Sequence, residues 1–300
     1  MALRGSKQFN RSPPMLKAIA IRVLLAALTV AIGGLLSAVL VRCAPGFGVD
    51  ERQLDVRLNS DSREAIRREA EDQRDISRFY LQSLTRMVHG DLGVSPSLNR
   101  PIRALMAERG PVTLRLVAIG LALSWASSVL LVLGRWTLDF VWFDTLGRLI
   151  SGALLCIPTA GLALLLVMLD LPAYLAMALV VLPKSYQLLS SLLGAAASMP
   201  HVISAKAKGA GAVRILGWHM VAVVRRELLA LIGVSVGIAV SAAIPVEALT
   251  GTPGIGQLAW QAAMARDLPV LLTVSLAVIA CTVLANSGAD LFAGGQREGG

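Results

Sequence analysis

Residues 228–250 read LLALIGVSVGIAVSAAIPVEALT, an apolar run in which Glu247 is the only charged residue. A helix needs about 20 such residues to cross the hydrocarbon core of a bilayer. A helix also satisfies its own backbone hydrogen bonds, which an irregular segment cannot do in lipid. The run therefore predicts a membrane-spanning helix.

Five further apolar runs divide the rest of the chain. They are Ala18–Val41, Val112–Leu133, Leu146–Leu169, Ala173–Leu193 and Val270–Phe292. Charged residues make up only 16% of the 300 residues, against about 25% in a typical soluble domain. No small-residue cleavage site ends the first run, so we expect a retained helix rather than a signal peptide. The sequence predicts an all-α membrane protein with six transmembrane helices.

The placement of charge predicts the orientation of these helices. The longest connection, 44–110, holds eleven arginines and eleven acidic residues and is neutral. The net charge of +9 therefore comes from other segments. Two segments carry this excess. The first, near the N-terminus, contains Arg4, Lys7, Arg11, Lys17 and Arg22. The second, the connection 194–227, contains Lys206, Lys208, Arg214, Arg225 and Arg226 and one acid, Glu227. Short basic loops stay in the cytoplasm. We therefore expect both termini and the loop 194–227 inside, residues 44–111 outside, and no nucleic-acid partner.

The outer connection is expected to be a helical insertion. Its apolar spacing predicts one amphipathic helix, with apolar positions at Ile66, Ile76, Phe79, Tyr80, Leu84 and Val88. A break is expected at Gly90-Asp91-Leu92-Gly93. A second short helix at Ile102–Arg109 then precedes Gly110-Pro111, where the second span is expected to begin.

The inner segment Ser204–Ala210 reads SAKAKGA and has the features of a short helix. Ser198 is expected to cap its start, with Pro200 at the first helical position, where the missing amide hydrogen is not needed. Gly209 supplies the left-handed stop. Ala205 and Ala207 keep the helix thin enough for a groove in another protein. These features alone support a docking helix and an ordinary capped connector equally.

The segment Ala205–Ala210, followed by His219, resembles the EAA loop of binding-protein-dependent ABC importer permeases. It is most similar to the first permease of the dipeptide, oligopeptide and nickel importers. Further motifs resemble this family in order along nearly the whole chain. They are Tyr80–Leu84, Gly90–Gly93, Arg100–Ile102, Glu108–Leu114, Glu247–Leu249, Pro253–Gly256, Arg266–Pro269 and the polar pair Asn286 and Asp290.

The resemblance implies a multi-subunit importer in a bacterial inner membrane. Its partners would be a second permease subunit, two cytoplasmic ABC ATPases and an extracytoplasmic solute-binding protein. The chain would then divide into a tail at 1–17, a first helix at 18–41, an insertion at 44–111, a five-helix permease core at 112–293 and a tail at 294–300. ATP and Mg would be bound by the ATPases and no cofactor by this chain, which has no G-x-x-x-x-G-K-[ST] loop.

The resemblance, together with the one strong charge deep in a middle span, predicts three sets of functional residues. The residues that couple to the ATPase would be Ser204, Ala205, Lys206, Ala207, Lys208, Gly209, Ala210 and His219. The translocation path would include Lys184, Glu247 and Asn286, and the outer gate or binding-protein contact would include Pro253, Gly254, Gly256, Arg266 and Asp267.

Lys184 is a charge deep in a span, although snorkelling or pairing with an acid of the sister subunit fits equally. Glu247 either lines the gate or faces the outer headgroups. The three cysteines fit no metal site.

Two alternatives to a working permease stay open. Gly233-Val234-Ser235-Val236-Gly237 fits the G-x-S-x-G pattern of serine hydrolases, with Ser235 as the nucleophile of an intramembrane hydrolase. That motif needs a strand–turn–helix elbow, so close helix packing through the two glycines is favoured. Departures from the family pattern, such as the short connection Asp170-Leu171-Pro172, also allow a non-transporting assembly subunit.

Overall fold

A computed structural model describes residues 24–36, 39, 76–138 and 141–294 of the chain. The helices and strands follow in chain order. They are α1 (Leu24–Leu36), α2 (Ile76–Val88), β1 (Val94–Ser95), β2 (Arg100–Pro101), α3 (Ile102–Leu138), α4 (Val141–Cys156), α5 (Thr159–Met168), α6 (Ala173–Ala197), α7 (Pro200–Ala207), α8 (Ala212–Arg214), a π-helix (Ile215–Val221), α9 (Arg225–Thr250), α10 (Ile255–Met264) and α11 (Leu268–Gly294).

Four of the described helices are long and apolar enough to cross a bilayer, namely α3, α6, α9 and α11. The pair α4 and α5 is a fifth candidate, although the chain bends by 99° between them. The span expected at 146–169 is therefore divided into two helices, and a single crossing of the membrane by this pair stays a prediction. Pro158 lies at the break, before the first residue of α5. Proline lacks an amide hydrogen and disfavours helical backbone in the residue before it, so the helix stops there.

The first predicted span is only partly covered by the structure. Helix α1 spans Leu24–Leu36 and is too short to qualify as a spanning helix. Apart from residue 39, the rest of the run 18–41 lies outside the described residues, as do the tail 1–17 and the insertion up to residue 75. The helical membrane class is confirmed, and the count of six spans stays a prediction.

Helix α3 corrects the expected start of the second span. It runs without interruption from Ile102 to Leu138, with Pro111 inside it. The short helix expected at 102–109 is thus the first part of α3. Pro111 is exposed, and water can therefore satisfy the carbonyl group that loses its hydrogen bond at the proline.

The outer connection also contains a feature that the all-α expectation missed. Strands β1 and β2 pair antiparallel, Val94 with Pro101 and Ser95 with Arg100. The glycines at 90 and 93 have φ of +83° and +78°, and such left-handed backbone lets the chain turn from α2 into the hairpin. Helix α2 ends as expected before this break, but Val88 is 85% exposed and does not belong to its buried face.

The centre of the bundle is built by α3, α5, α6 and α9. Their buried side chains form one apolar core, made of Leu116, Val117, Leu162, Ala163, Leu166, Ala176, Met177, Val181, Ala239, Ala242, Ala243 and Val246. Buried hydroxyl groups join α3 to α6, because the Ser185 hydroxyl lies 2.8 Å from those of both Ser124 and Ser128. Gly237 of α9 lies against Thr282 and Asn286 of α11, which confirms close helix packing at this glycine.

The bundle has two distinct ends, which we call the hairpin end and the α7 end. Helices α6 and α9 have 25 and 26 residues, or roughly 38 Å at 1.5 Å per residue. The hairpin, the start of α3 and the turn before α10 lie at one end of these helices, and α7 and the π-helix lie at the other. The outer and inner connections of the predicted topology are thus at opposite ends of the bundle.

Gly120 tests the α3–α6 contact. A side chain there would place its Cβ 2.6 Å from Met177 Cβ and 3.3 Å from the Ala178 backbone nitrogen. We expect Gly120→Val to destabilise the protein by about 1–3 kcal/mol, as overpacking does, and to lower its apparent melting temperature in detergent. Gly152→Val is the control, since no atom lies within 4 Å of its added Cβ. Equal melting temperatures for the two variants would contradict the contact.

Candidate functional site

Helix α7 ends in a glycine stop as predicted. Gly209 has φ of +77°. Its amide donates to the Lys206 carbonyl at 3.0 Å, and the Ala210 amide donates to the Ala205 carbonyl at 3.2 Å. These two bonds form a Schellman motif, in which the left-handed residue closes the helix and satisfies its last carbonyl groups.

The start of α7 differs from the prediction. Met199 occupies the N-cap position, Pro200 follows it as expected, and no side chain caps the helix. Ser198 is not the cap, because its hydroxyl donates to the Ala195 carbonyl at 2.8 Å and closes α6 instead. The two helices are thus separated by only two residues.

One face of α7 packs on the bundle. Val202 belongs to a group of buried residues that we call the α7-end cluster. Its members are Val132, Tyr186, Leu189, Leu193, Ala196, Val202, Ile215, Leu216, Met220 and Val224. This apolar cluster joins α7 to α3, α6 and the π-helix.

The predicted coupling residues divide between two faces. Ser204, Lys206, Ala207, Lys208 and Gly209 are exposed. Ala205 is only 8% exposed and therefore contributes little to the outward surface of α7, and its coupling role stays a prediction. Val202 and Ala205 are three residues apart, so they lie on the same face of this short helix. Both side chains are buried on the bundle side, which leaves the opposite face exposed.

The last two predicted coupling residues are half-buried. Ala210 packs against the α7-end cluster. The backbone carbonyl of His219 lies 3.2 Å from His201 Nε2, which ties the π-helix to α7.

An ionic group that the sequence analysis missed lies beside the α7-end cluster. Asp144 at the start of α4 is 8% exposed. Its carboxylate pairs with Arg135 at 2.6 Å and with Arg148 on its own helix. Tyr186 donates to the Asp144 carboxylate at 3.3 Å. The spacing of four residues between Asp144 and Arg148 was a visible signal, whereas Arg135 and Tyr186 join the group only through the fold.

At the hairpin end, Glu247 has no exposed surface. Its carboxylate accepts a hydrogen bond from the Gly256 amide at 2.6 Å. A Cβ at Gly256 would lie 2.6 Å from Ile244 Cα, which explains the glycine. Thr113 accepts from the Ile255 amide at 2.8 Å, so α3 holds the same turn. The reading in which Glu247 faces lipid headgroups is wrong, because the side chain closes the turn between α9 and α10.

Asp267 has a similar structural position, with 2% exposure. One carboxylate oxygen accepts from the Val270 amide at 3.2 Å, which caps α11. The other accepts from the hydroxyl groups of Ser95 and Ser97 at 2.5 and 2.7 Å. Asp267 therefore fixes the hairpin to the last span.

The predicted outer-gate set is thus partly buried. Gly254, Gly256 and Asp267 lie inside the fold, whereas Pro253 and Arg266 are exposed. In this conformation the two exposed residues are the members of the set that a second protein could reach.

The three predicted path residues lie at different depths and are not brought together. Glu247 is three residues from the hairpin end of α9, and Lys184 is in the middle of α6. Asn286 is in the second half of α11, beside Gly237. Lys184 and Asn286 are exposed in the single chain, whereas Glu247 is not.

Among the described residues, no histidine or acidic side chain is hydrogen-bonded to Ser235. It lies inside the continuous helix α9, and its hydroxyl donates to the Leu231 carbonyl at 2.8 Å. The hydrolase motif requires a strand–turn–helix elbow, and a continuous helix occupies this position instead. The structure therefore does not support the hydrolase alternative.

Comparison with known proteins agrees with this arrangement. Residues 118–296, more than half of the chain, match the family described as binding-protein-dependent transport system inner membrane component. The chain belongs to this family. It is therefore a multi-pass inner membrane protein and a permease subunit of an ABC importer, which is a transport role rather than an enzymatic one.

Individual relatives are similar over much of the permease. A Brucella suis protein, provisionally named a peptide permease, is 28% identical over 295 aligned positions that cover 84% of this chain and 89% of the relative. A Brucella abortus protein, provisionally named a peptide transport system permease, is 28% identical over 220 positions that cover 63% of this chain and 69% of the relative.

Replacement of Asp267 tests its structural role in the permease. We expect Asp267→Ala to destabilise the fold by about 2 kcal/mol or more, because it removes a helix cap and the shared acceptor of two hydroxyl groups. Thermal unfolding in detergent measures the loss. Asp91→Ala is the control, since among the described residues the exposed Asp91 carboxylate accepts only from the Gly93 amide. A melting temperature unchanged by Asp267→Ala would contradict this role.

Proposed function

We propose that this permease carries peptides or a similar small solute, and that α7 is the helix on which a cytoplasmic ATPase docks. The observation that carries the proposal is the two-faced geometry of α7. Its outer face is exposed, short and closed by the glycine stop, while its inner face is packed on the bundle. The peptide assignment is supported by the names of the Brucella relatives.

The proposed coupling residues act in two ways. Ser204, Lys206, Ala207, Lys208 and Gly209 would contact the ATPase, since these positions are exposed. Ala205, Ala210 and His219 would instead transmit the motion inward, because they face or support the α7-end cluster.

The α7-end cluster offers a route for that motion. Val202 of α7 and Met220 of the π-helix pack in one cluster with Tyr186 of α6. Tyr186 in turn bonds Asp144, which holds the ends of α3 and α4 through Arg135 and Arg148. Close-packed groups of this kind move together because any void would lose contacts. A push on α7 would thus rock α3, α4 and α6 as a unit.

The proposed assembly contains three kinds of protein partner besides lipid. A second permease subunit would complete the path, and two ABC ATPases would bind ATP and Mg. An extracytoplasmic solute-binding protein would deliver the solute. The α7 end and both termini would face the cytoplasm of a bacterial cell, which the basic residues of the loop 194–227 support.

At the hairpin end, we propose that Pro253 and Arg266 lie on the surface met by the binding protein. Gly254, Gly256 and Asp267 would keep this surface in shape from inside the fold. Glu247 would reach the path only if the turn 251–256 moved, and the turn would then act as a gate. Lys184 and Asn286 are the proposed path residues with exposed side chains.

Gly209→Val tests the coupling helix. Left-handed backbone costs an L-residue about 1–2 kcal/mol, so we expect about tenfold weaker ATPase binding and a matching loss of uptake. Gly211→Val is the control, because Gly211 has φ of −64° and open space around it. ATPase recovery is measured by pull-down from native membranes in mild detergent, and uptake with a labelled dipeptide or tripeptide in cells.

Two outcomes of this experiment would contradict different parts of the proposal. Full ATPase recovery and uptake with Gly209→Val would contradict the role of the glycine stop. Recovery of neither an ATPase nor a second permease with the unaltered chain would contradict the importer assembly and favour a different role in the membrane.

A further inference from the structure

The inner half of α6 carries an exposed polar stripe, which consists of Lys184, Gln187 and Ser191. The small exposed residues Gly194 and Ala195 continue it toward the α7 end. At 3.6 residues per turn, these five positions lie within roughly 100° of the helix circumference. They therefore form a single face that runs from the middle of the helix to its inner end.

The orientation of this face is set by the packing of α6. Ser185 bonds Ser124 and Ser128 of α3, and Tyr186 bonds Asp144 of α4. Both side chains are buried on the side opposite the stripe. The helix is thus held against rotation, and Lys184 cannot turn into the core of the chain.

Contact with lipid would be energetically unfavourable for the polar stripe. Lys184 is the twelfth of 25 residues in α6, which places it roughly 16–20 Å from either end of the helix. A charged residue at that depth costs about 2.5–3.5 kcal/mol on insertion scales. Its flexible four-carbon stem cannot span the distance to the headgroups. Gln187 and Ser191 would add unpaired polar groups to the same lipid-facing surface.

A water-free contact between the polar stripe and the sister permease would also be unfavourable. Within the described residues, Lys184, Gln187 and Ser191 form no hydrogen bond or ion pair. A dry interface would need a partner group for each of them, because buried polar groups are costly when unpaired. Water satisfies all three side chains without such matching, and small residues at positions 194 and 195 leave room for it.

We propose that the polar stripe forms one wall of a water-filled inner passage, and that Lys184 favours solutes that carry a carboxylate, such as the free C-terminus of a peptide. This inference rests on the proposed transport path and specifies its chemistry. Among the described side chains of the spanning helices, the acids do not oppose Lys184. Asp144 is paired with two arginines, Glu108 is paired with Arg100 at the hairpin end of α3, Glu247 is buried, and Glu227 lies at the inner end of α9. The positive charge is therefore available to an anionic group.

Thiol labelling of the assembled importer in native membrane vesicles tests this passage. Cys43, Cys156 and Cys281 are first replaced by serine, and Gln187→Cys is introduced. The probes are the anionic 2-sulfonatoethyl and the cationic 2-(trimethylammonium)ethyl methanethiosulfonates. Val234→Cys is the control, since Val234 is exposed at a similar depth but on an apolar part of α9.

We expect the thiol at position 187 to react with both probes and the thiol at position 234 with neither. Lys184 and position 187 are neighbours on the helix, about 5–6 Å apart. A unit charge at this distance in water changes the local probe concentration about threefold. The rate ratio of anionic to cationic probe should thus exceed that of a free thiol by about tenfold. Lys184→Gln should return the ratio to the free-thiol value.

Two results would overturn the inference. A thiol at position 187 that stays unreactive without nucleotide, with ATP and with ATP plus vanadate would exclude a water-filled passage. A rate ratio that Lys184→Gln does not change would exclude selection by charge. Co-purification of the ATPase is measured in the same vesicles, so an unreactive thiol in an assembly that retains its ATPase refutes only the passage. Absence of the ATPase from vesicles that contain the unaltered chain would refute the proposed function itself.

Discussion

The contact of α7 with the bundle is the interaction on which the rest of the arrangement depends. The α7-end cluster joins Val202 of α7, Met220 of the π-helix and Leu189 and Leu193 of α6, and Met220 has no exposed surface. An apolar contact of this kind has no directional bonds that must break when its parts shift together. It therefore holds the short helix on the bundle without imposing a single hydrogen-bond geometry.

The two ends of the bundle are stabilised by different kinds of interaction. At the hairpin end, buried carboxylates of Glu247 and Asp267 accept hydrogen bonds from backbone and hydroxyl groups. Such bonds fix one geometry, because a buried polar group without its partner is costly. At the α7 end, apolar packing predominates and Tyr186 makes the link to the ionic group at Asp144. The hairpin end of the permease is thus held mainly by directed hydrogen bonds and the α7 end mainly by apolar packing.

Breaks in the helices occur where the membrane environment allows them. Gly209 and Gly251 turn the chain outside the long helices. Pro158 interrupts the candidate span formed by α4 and α5, where neighbouring helices or water must satisfy the freed backbone groups. The polar stripe on α6 follows the same constraint, since a charge in mid-span persists only beside water or a partner. Irregular backbone and exposed polarity are thus signs of function in this fold.

The sequence alone determined the helical membrane class, the positions of α6, α9 and α11 and the glycine stop of α7. The length of a hydrophobic run and the tolerance of Gly209 for left-handed backbone depend only on neighbouring residues in the sequence. They can therefore be recognised without knowledge of the tertiary contacts. The tertiary structure alone decided that Ala205 faces inward, that Glu247 closes a turn and that Arg135 and Tyr186 meet Asp144. It also decided which side of α6 carries Lys184 outward. These features depend on contacts between residues far apart in the chain, and a local pattern cannot specify such contacts.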